Sequence, residues 1–472
     1  MGDPNRDPGL RRSNETGELS DPEEPSRLRA IRPRSRTPEH IGKGPIVMTD
    51  VVCPHCADLC DDLRLTVEGN RIAAVEVECP AARAFFMGYQ VETVTPRVRG
   101  AEAGWDAAVE EAATILARAV CPLVMGLSAT ACEAQRVAVE LAEAIGACID
   151  TPYAAFYGPR ALALQQVGEA SCTLGEVRNR ADLVVVWGAD PMVTHPRHLS
   201  RYAVDPNGLF VPNGRRDRTL IVVDACRTRT AEAADLFLRV ASDEDYEVLG
   251  VLRARLRKRS PTVKEVGGRP LNEWEALLER MKGCRYGIVF YGTGLTMSRG
   301  GVESVAQLLH LVNDLNAYTR FCVMAMRGPL GFGNVGGSYK VLCWQSGYPF
   351  AVSFARRYPR YNPGEFTASE LLARQEVDAV LVVGADPLEY LSTPTAAILE
   401  RLPTVVLAPR LNSTARKATI FFPTATYGIS APGTMFRVDR IPLRTRQVLE
   451  SPLPTDKEVL ERLLSSIQTL QR

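Results

Sequence analysis

Four cysteines are the side chains most able to do chemistry in this sequence. Cys53-x-x-Cys56-x-x-x-Cys60 forms one loop, and Cys79 follows a stretch that reads as a hairpin. Thiolates bind soft metals and iron–sulfur clusters. Three donors from one loop and a fourth from across a hairpin can surround a cubane. A tetrahedral zinc site uses the same spacing, and four plain buried thiols are the third reading. His55, between two of these positions, reads as a solvent-facing loop residue.

A second group of polar residues lies in one loop. His195, Arg197, His198 and Arg201 follow the apolar run Leu183 to Trp187 and its Gly-Ala-Asp-Pro ending. In open α/β sheets, ligands bind beyond the carboxyl ends of strands, so this loop is expected to line a pocket, with His195 and His198 as ligand contacts. After the next apolar run, Asp224, Arg227 and Thr228 suit the ribose or phosphate groups of a nucleotide. The same string also suits an ordinary strand-to-helix loop with a capped helix. Gly328 to Gly337 is too glycine-dense for a helix or strand. Its Gly333, Asn334 and Gly336 would let backbone approach a bulky ligand closely, and Phe332 and Val335 point to a partly buried loop.

The elements that must hold these residues follow from periodicity. Leu63, Leu65 and Val67 alternate ahead of Gly69-Asn70, a hairpin pattern. Trp105 to Ala119, Thr130 to Gly146 and Val302 to Asn316 have helical spacing. Tyr157-Gly158-Pro159 reads as a tight turn before a helical run. Short apolar runs at Pro122 to Gly126, Leu183 to Trp187, Leu220 to Val223, Tyr286 to Tyr291, Ala379 to Val383 and Thr404 to Leu407 read as buried strands. VVVWGADP (184–191) and VLVVGADP (380–387) are nearly one string, each preceded by an acid, Asp182 or Asp378. This echo predicts two related α/β domains facing each other across a cleft.

The predicted organisation is a disordered Pro- and Arg-rich tail (1–45) and a small Cys-rich domain (46–100). Two α/β domains (101–280 and 281–450) and a C-terminal helix (451–472) follow. With 472 residues and a net charge of +1, the chain has room for several cores. It has no bulk charge for nucleic acid or a membrane surface. No apolar run spans a bilayer and no signal-peptide layout is present, which predicts a cytoplasmic protein without nucleic-acid or membrane partners. The eight remaining cysteines read mostly as small buried thiols.

The strings CPHCADLCDD, CTLGEVRNRADLVVVWGADP with HPRHLSRY, VDACRTRTAEAAD, MRGPLGFGNVGG, WQSGYPFAVSFARRYPRYNPGEF and FFPTATYGISAPGTMFRVDRIPLR resemble the B subunit of formylmethanofuran dehydrogenase. That family belongs to the molybdopterin oxidoreductases, alongside formate dehydrogenases. The resemblance runs from about residue 47 to 448. It implies a small iron–sulfur domain followed by two Rossmann-like parallel-sheet domains around a pterin cleft, like formate dehydrogenase domains I–III. It also implies other subunits as partners. Cys53, Cys56, Cys60 and Cys79 fall on the family's cluster ligands, which favours a 4Fe-4S cluster over zinc.

In that family a molybdenum or tungsten ion is held by pterin dithiolenes and a cysteine or selenocysteine, in a string like Val-Cys-His-Gly-Pro. Here the string is Ala155-Phe156-Tyr157-Gly158-Pro159. Phe156 stands at the metal ligand and Tyr157 at the histidine. A phenyl ring has no lone pair for a metal, and a phenol does not exchange protons near neutral pH as imidazole does. Val240-Ala241-Ser242-Asp243-Glu244-Asp245 also lacks the Pro-Gly of a pterin-contacting turn. The pattern therefore resembles most the B subunit of the bacterial formyltransferase/hydrolase complex. In that system formyl is moved to a methanofuran analogue and hydrolysed to formate, with no redox metal needed. The expectation is a non-redox subunit without molybdopterin or tungstopterin, in formaldehyde-to-formate metabolism. An active molybdenum or tungsten oxidoreductase is the alternative.

Overall fold

The computed structural model describes residues 44–326, 328 and 331–472. Residues 1–43 of the expected disordered tail (1–45) lie outside the described residues. The rest, Pro45 to Arg472, forms one compact unit.

The predicted hairpin forms as Leu63–Glu68 and Arg71–Glu76, with Ile46–Val51 as a third antiparallel strand. Gly69 and Asn70 both take positive φ (51° and 60°), the pattern of the tight two-residue turn that matches strand twist. Leu63, Leu65 and Val67 face inward onto a core shared with Phe86, Ile429 and Leu449. Helix Pro80–Met87 follows directly from Cys79, whose Sγ accepts from the Ala82 N–H at 3.4 Å.

Two parallel sheets carry the remainder. One has the order Leu236–Arg239, Thr219–Asp224, Leu183–Trp187, Tyr286–Tyr291, Arg320–Ala325, all parallel. At the centre of the other are Ile420–Pro423, Thr404–Ala408, Ala379–Val383, Pro122–Gly126 and Cys148–Ile149, also parallel, with short antiparallel strands on both edges. Their middle strands are apolar throughout because helices cover both faces.

The two five-strand arrangements correspond strand for strand. Leu183–Trp187 and Ala379–Val383 hold the same place in each, and both end in a glycine of positive φ, 56° at Gly188 and 54° at Gly384. Asp182 accepts from the Arg285 and Tyr286 N–H groups, and Asp378 accepts from those of Val120 and Cys121. Asp190 accepts from Thr230 N at 3.1 Å and Asp386 from Thr414 N at 2.9 Å. The acid in each Gly-Ala-Asp-Pro therefore caps the short helix after the next strand, Arg229–Glu232 or Ser413–Lys417. The predicted repeat is real at the level of side-chain roles.

The predicted division at residue 280 is not how the sheets are assembled. Tyr286–Tyr291 and Arg320–Ala325 complete the sheet of Leu183–Trp187, while Pro122–Gly126 pairs with Ala379–Val383. One α/β layer is thus inserted within the other, and the strand pairs enter the two copies in swapped chain order. Crossover helices make such non-consecutive pairing possible, and strand periodicity alone does not reveal it.

The expected tight turn at Tyr157-Gly158-Pro159 is also absent. Pro152–Val167 is one helix that runs through Pro159. Proline removes the donor for the carbonyl of Ala155, and Ala155 lies on the exposed side of the helix. The neighbouring Phe156 carbonyl gains a donor from outside, the Thr296 hydroxyl at 2.7 Å. Helix Asp456–Leu470 forms as expected and packs on helices Cys132–Ile145 and Trp105–Arg118.

Candidate cysteine site and its surroundings

Cys53, Cys56, Cys60 and Cys79 line one small cavity, walled by Leu63, Val77 and Ala82 and closed by Pro196 and Arg197. The loop turns back on itself through the Cys53 N–H to the Cys60 carbonyl at 2.8 Å. Leu59 takes a positive φ of 39° to allow this. Burial pushes the Cys53 thiol up to about 12 and raises Cys56 as well, with the neighbouring thiols adding to the effect. Such thiols ionise when a cation takes the place of their protons. Among the described residues no three His, Cys, Asp or Glu side chains converge closely enough for a single ion. The four sulfurs line one cavity, and four thiols are a donor set that suits an iron–sulfur cluster or a zinc ion. His55 is half-buried, its ring tilted against Phe85 with centroids 5.2 Å apart, rather than facing solvent.

The polar loop after Leu183–Trp187 packs against the cysteine loop, with Pro196 and Arg197 closing its cavity. It clamps the cysteine loop to the sheet. His198 Nδ1 meets Asp58 at 3.0 Å, with both side chains essentially fully buried. Arg197 forms a two-bond pair with Asp62 at 2.6 and 2.7 Å, and Arg201 reaches Asp61 at 2.6 Å. His198 also packs edge-on against Phe290, centroids 4.5 Å apart. Burial opposes ionisation of Asp58, but the charge and hydrogen bond of His198 outweigh it and hold the carboxyl below its usual range. His195 is buried beside Thr194, its Nδ1 2.9 Å from the hydroxyl. Each acid of Cys-Ala-Asp-Leu-Cys-Asp-Asp thus has a partner in His-Pro-Arg-His-Leu-Ser-Arg. The opposite charges of the two strings were the sequence signal for this pairing.

The nucleotide-type residues are likewise engaged within the chain. Thr228 caps its own helix by accepting from the Ala231 N–H. Asp224 accepts from the Cys226 N–H at 3.0 Å, and burial raises its carboxyl, with Asp190 adding to the shift. Arg227 is exposed, its guanidinium 5.7 Å from the Phe237 ring centre. Of the two readings of this string, the capped helix is the one these contacts describe.

The glycine-dense loop packs against the cysteine loop. A Cβ on Gly333 would sit 1.7 Å from the Pro54 carbonyl oxygen, so only glycine permits this approach. Gly331 N–H donates to the His55 carbonyl at 2.8 Å. Asn334 is fully buried, donating to the Thr130 carbonyl at 2.7 Å and accepting from the Phe436 N–H at 2.9 Å. Gly336 is buried in helix Val335–Ser346, so the glycine-dense string ends inside a helix, contrary to the expectation that it forms none.

Phe156 is half-buried at the edge of an aromatic triad. Its ring lies 6.0 Å from Phe332 and 6.1 Å from Tyr390, which are 5.8 Å from each other, all in edge-to-face geometry. Such packing occupies space with apolar rings and offers no metal donor. Tyr157 donates its hydroxyl to the Met326 carbonyl and accepts from the Gly328 N–H at 3.3 Å. It therefore works as a strut between the helix and the glycine loop. No step of pterin–metal chemistry can be assigned to these two side chains.

The chain is 41% identical over 435 residues to the B subunit of the tungsten-containing formylmethanofuran dehydrogenase 2 of Methanocaldococcus jannaschii, covering 90% of this chain and 99% of that protein. It is 35% identical over 435 residues to the protein of the same description in Methanococcus maripaludis, covering 90% and 100%. The B subunit of the formyltransferase/hydrolase complex of Methylorubrum extorquens is 27% identical over 298 residues, covering 61% of this chain and 74% of that protein. No protein-family model matches. Among solved structures, the Methylorubrum extorquens formyltransferase/hydrolase complex with methylofuran aligns with TM-score 0.65 at 24% identity, covering 80% of this chain and 99% of that one. Acetylene hydratase from Pelobacter acetylenicus aligns with TM-score 0.64 at 14% identity, covering 90% and 70%. These two likenesses place the chain in their shared mixed α/β fold.

Proposed function

This chain belongs to the family of formylmethanofuran dehydrogenase B subunits, and on that premise we propose that it is a non-redox subunit of a formyltransferase/hydrolase-type complex. The observation that carries the reading is Phe156. At the family's metal-ligand position it presents a phenyl ring packed against Phe332 and Tyr390, and Tyr157 beside it is committed to backbone contacts. Neither side chain can hold molybdenum or tungsten or relay a proton near neutral pH. In such a complex the oxidation state of carbon need not change: formyl is transferred, then hydrolysed to formate.

The cysteine site has a different standing in this proposal. Cys53, Cys56, Cys60 and Cys79 keep a buried four-thiol cradle, and we assign to it a 4Fe-4S cluster. When bound, such a cluster supplies a rigid cross-link and single-electron capacity. In a subunit without a redox metal its use is to hold the cysteine loop against the glycine loop. Other subunits of a formylmethanofuran dehydrogenase-like or formyltransferase/hydrolase complex are the proposed partners. Among the described residues no helix is long and apolar enough to cross a membrane.

The second reading, a tungsten or molybdenum oxidoreductase acting on formylmethanofuran, draws on the 41% identity to a tungsten-containing relative. Elemental analysis of the complex purified without oxygen separates the two. A non-redox subunit should carry iron at about four atoms per chain and neither molybdenum nor tungsten. Stoichiometric tungsten or molybdenum, with viologen-linked formate turnover, would overturn it.

A further inference from the structure

A cavity of about 620 Å³ opens at the amino ends of strands Tyr286–Tyr291 and Arg320–Ala325. This is the opposite edge of the sheet from the carboxyl ends, where ligands of open α/β sheets usually sit. No lining residue is shared with the cysteine cradle. The volume falls in the range of small-molecule sites, about 300–1,000 Å³. Its floor is apolar, with Phe321 fully buried and Tyr286 buried beside it. The Phe210 ring forms one wall.

That wall is held in place by a docked turn. The Phe210 N–H donates to the Asn179 carbonyl at 2.8 Å, and the Leu209 N–H donates to Asn179 Oδ1 at 3.2 Å. A Cβ on Gly208 would sit 2.1 Å from the Arg178 carbonyl oxygen, so only glycine lets the turn approach helix Leu174–Arg180 this closely. Three arginines line the cavity. Arg285 is already paired with Asp182 at 3.3 Å. Arg180 and Arg320 have no acid partner among the described residues, and Arg180 lies over the Phe210 ring, 4.6 Å from its centre. The acid in the lining, Glu176, is engaged in its helix cap, accepting from the Thr173 N–H at 3.2 Å. Ser171, also in the lining, accepts from Arg440 at 3.5 Å. Arg440 and the buried Arg160 share one carboxylate, Glu169, so the background behind Ser171 is positive as well.

We propose that this cavity binds a small oxyanion carried on a planar ring, a carboxylate or a phosphate monoester, with Arg180 and Arg320 as its cationic contacts. A guanidinium fork matches the paired oxygens of either anion. The ring would leave water for the surface formed by Phe210, Tyr286 and Phe321, which adds apolar burial to the ionic contact. Inorganic phosphate lacks the ring and phenol lacks the charge, so each makes only half of these contacts.

The test is calorimetric titration of the purified complex with phenyl phosphate, benzoate, inorganic phosphate and phenol. One ring anion, or both, should bind at one site per chain and more tightly than inorganic phosphate or phenol. The tighter of the two identifies the anion. Arg180→Gln and Arg320→Gln should each weaken that binding by about tenfold, the scale of one charge-assisted hydrogen bond. Both side chains are exposed, so thermal unfolding of these variants should match wild type. Phe210→Ala should weaken the ring anion and leave inorganic phosphate unchanged. If neither ring anion binds, or if phenol binds as tightly as they do, the site is refuted. If binding is unchanged when Arg180→Gln and Arg320→Gln are combined, the anion sits elsewhere in the complex and the assignment falls. If Phe210→Ala weakens inorganic phosphate equally, the ring is refuted as part of the ligand.

Discussion

Replacing His198 by alanine tests the clamp between the cysteine loop and the sheet. The substitution removes the partner of Asp58, a carboxylate with 0% exposure whose hydrogen bond to His198 is 3.0 Å. Leaving a buried charge unpaired costs about 3–5 kcal/mol. Loss of the edge contact with Phe290, at 4.5 Å, adds about 1 kcal/mol. A total of about 4–6 kcal/mol corresponds to a factor of about 10³–10⁴ in a local opening equilibrium. Hydrogen exchange should therefore speed up by that order over residues 46–79, while the strands Leu183–Trp187 and Ala379–Val383 keep their protection. Adding Asp58→Asn should recover about half of the loss, because it removes the stranded charge. Arg197→Ala should cost only about 1 kcal/mol, since its Asp62 partner is 35% exposed and screened. If His198→Ala leaves exchange in 46–79 within threefold of wild type, or if the double variant is no better than the single, the buried pair is not what holds the loop.

Three further outcomes follow from the packing. Gly333→Ala should cost more than ~3 kcal/mol and reduce the iron bound to the complex, because its Cβ would overlap the Pro54 carbonyl. Gly364→Ala, whose nearest contact would be 3.8 Å away, is the control for thermal unfolding. Asp190→Ala and Asp386→Ala should each cost about 2 kcal/mol by urea denaturation, and a large difference between them would undo their equivalence. Burial pushes the Asp150 carboxyl up to about 7, although backbone N–H groups of Ala368, Thr151 and Ala351 donate to it. The folded chain therefore holds this proton more tightly than the unfolded one. The contribution is full below about pH 4 and lost as pH rises through 7, a slope of ~1.4 kcal/mol per unit. Asp150→Asn should flatten that slope in unfolding measured from pH 4 to 8; an unchanged slope would reassign it to other groups.

The sequence alone determined most local elements, the four-thiol set and the repeat. Alternation of Leu63, Leu65 and Val67 is a short-range property, as is the apolar run Leu183 to Trp187. The echo of Gly-Ala-Asp-Pro is a property of the string itself, visible without any fold. The departure at Phe156 was equally legible, since the absence of a lone pair is a property of the side chain and not of its surroundings.

Tertiary structure decided what these residues touch. His195, His198, Arg197 and Arg201 read as pocket residues because polar groups after a strand often face a ligand. In the fold the last three face acids of the cysteine loop, well over a hundred positions earlier in the chain. Thr228 and Asn334 are by residue type free to meet a ligand, and both are spent on backbone groups. Pro159 signalled a turn by its own chemistry, yet the helix Pro152–Val167 runs through it. Packing of the surrounding side chains outweighs one lost hydrogen bond. The order in which strands join the two sheets rests on crossovers, and no local period encodes a pairing between Pro122–Gly126 and Ala379–Val383. Side-chain chemistry can be read one residue at a time, but pairing and burial depend on every segment that shares the space.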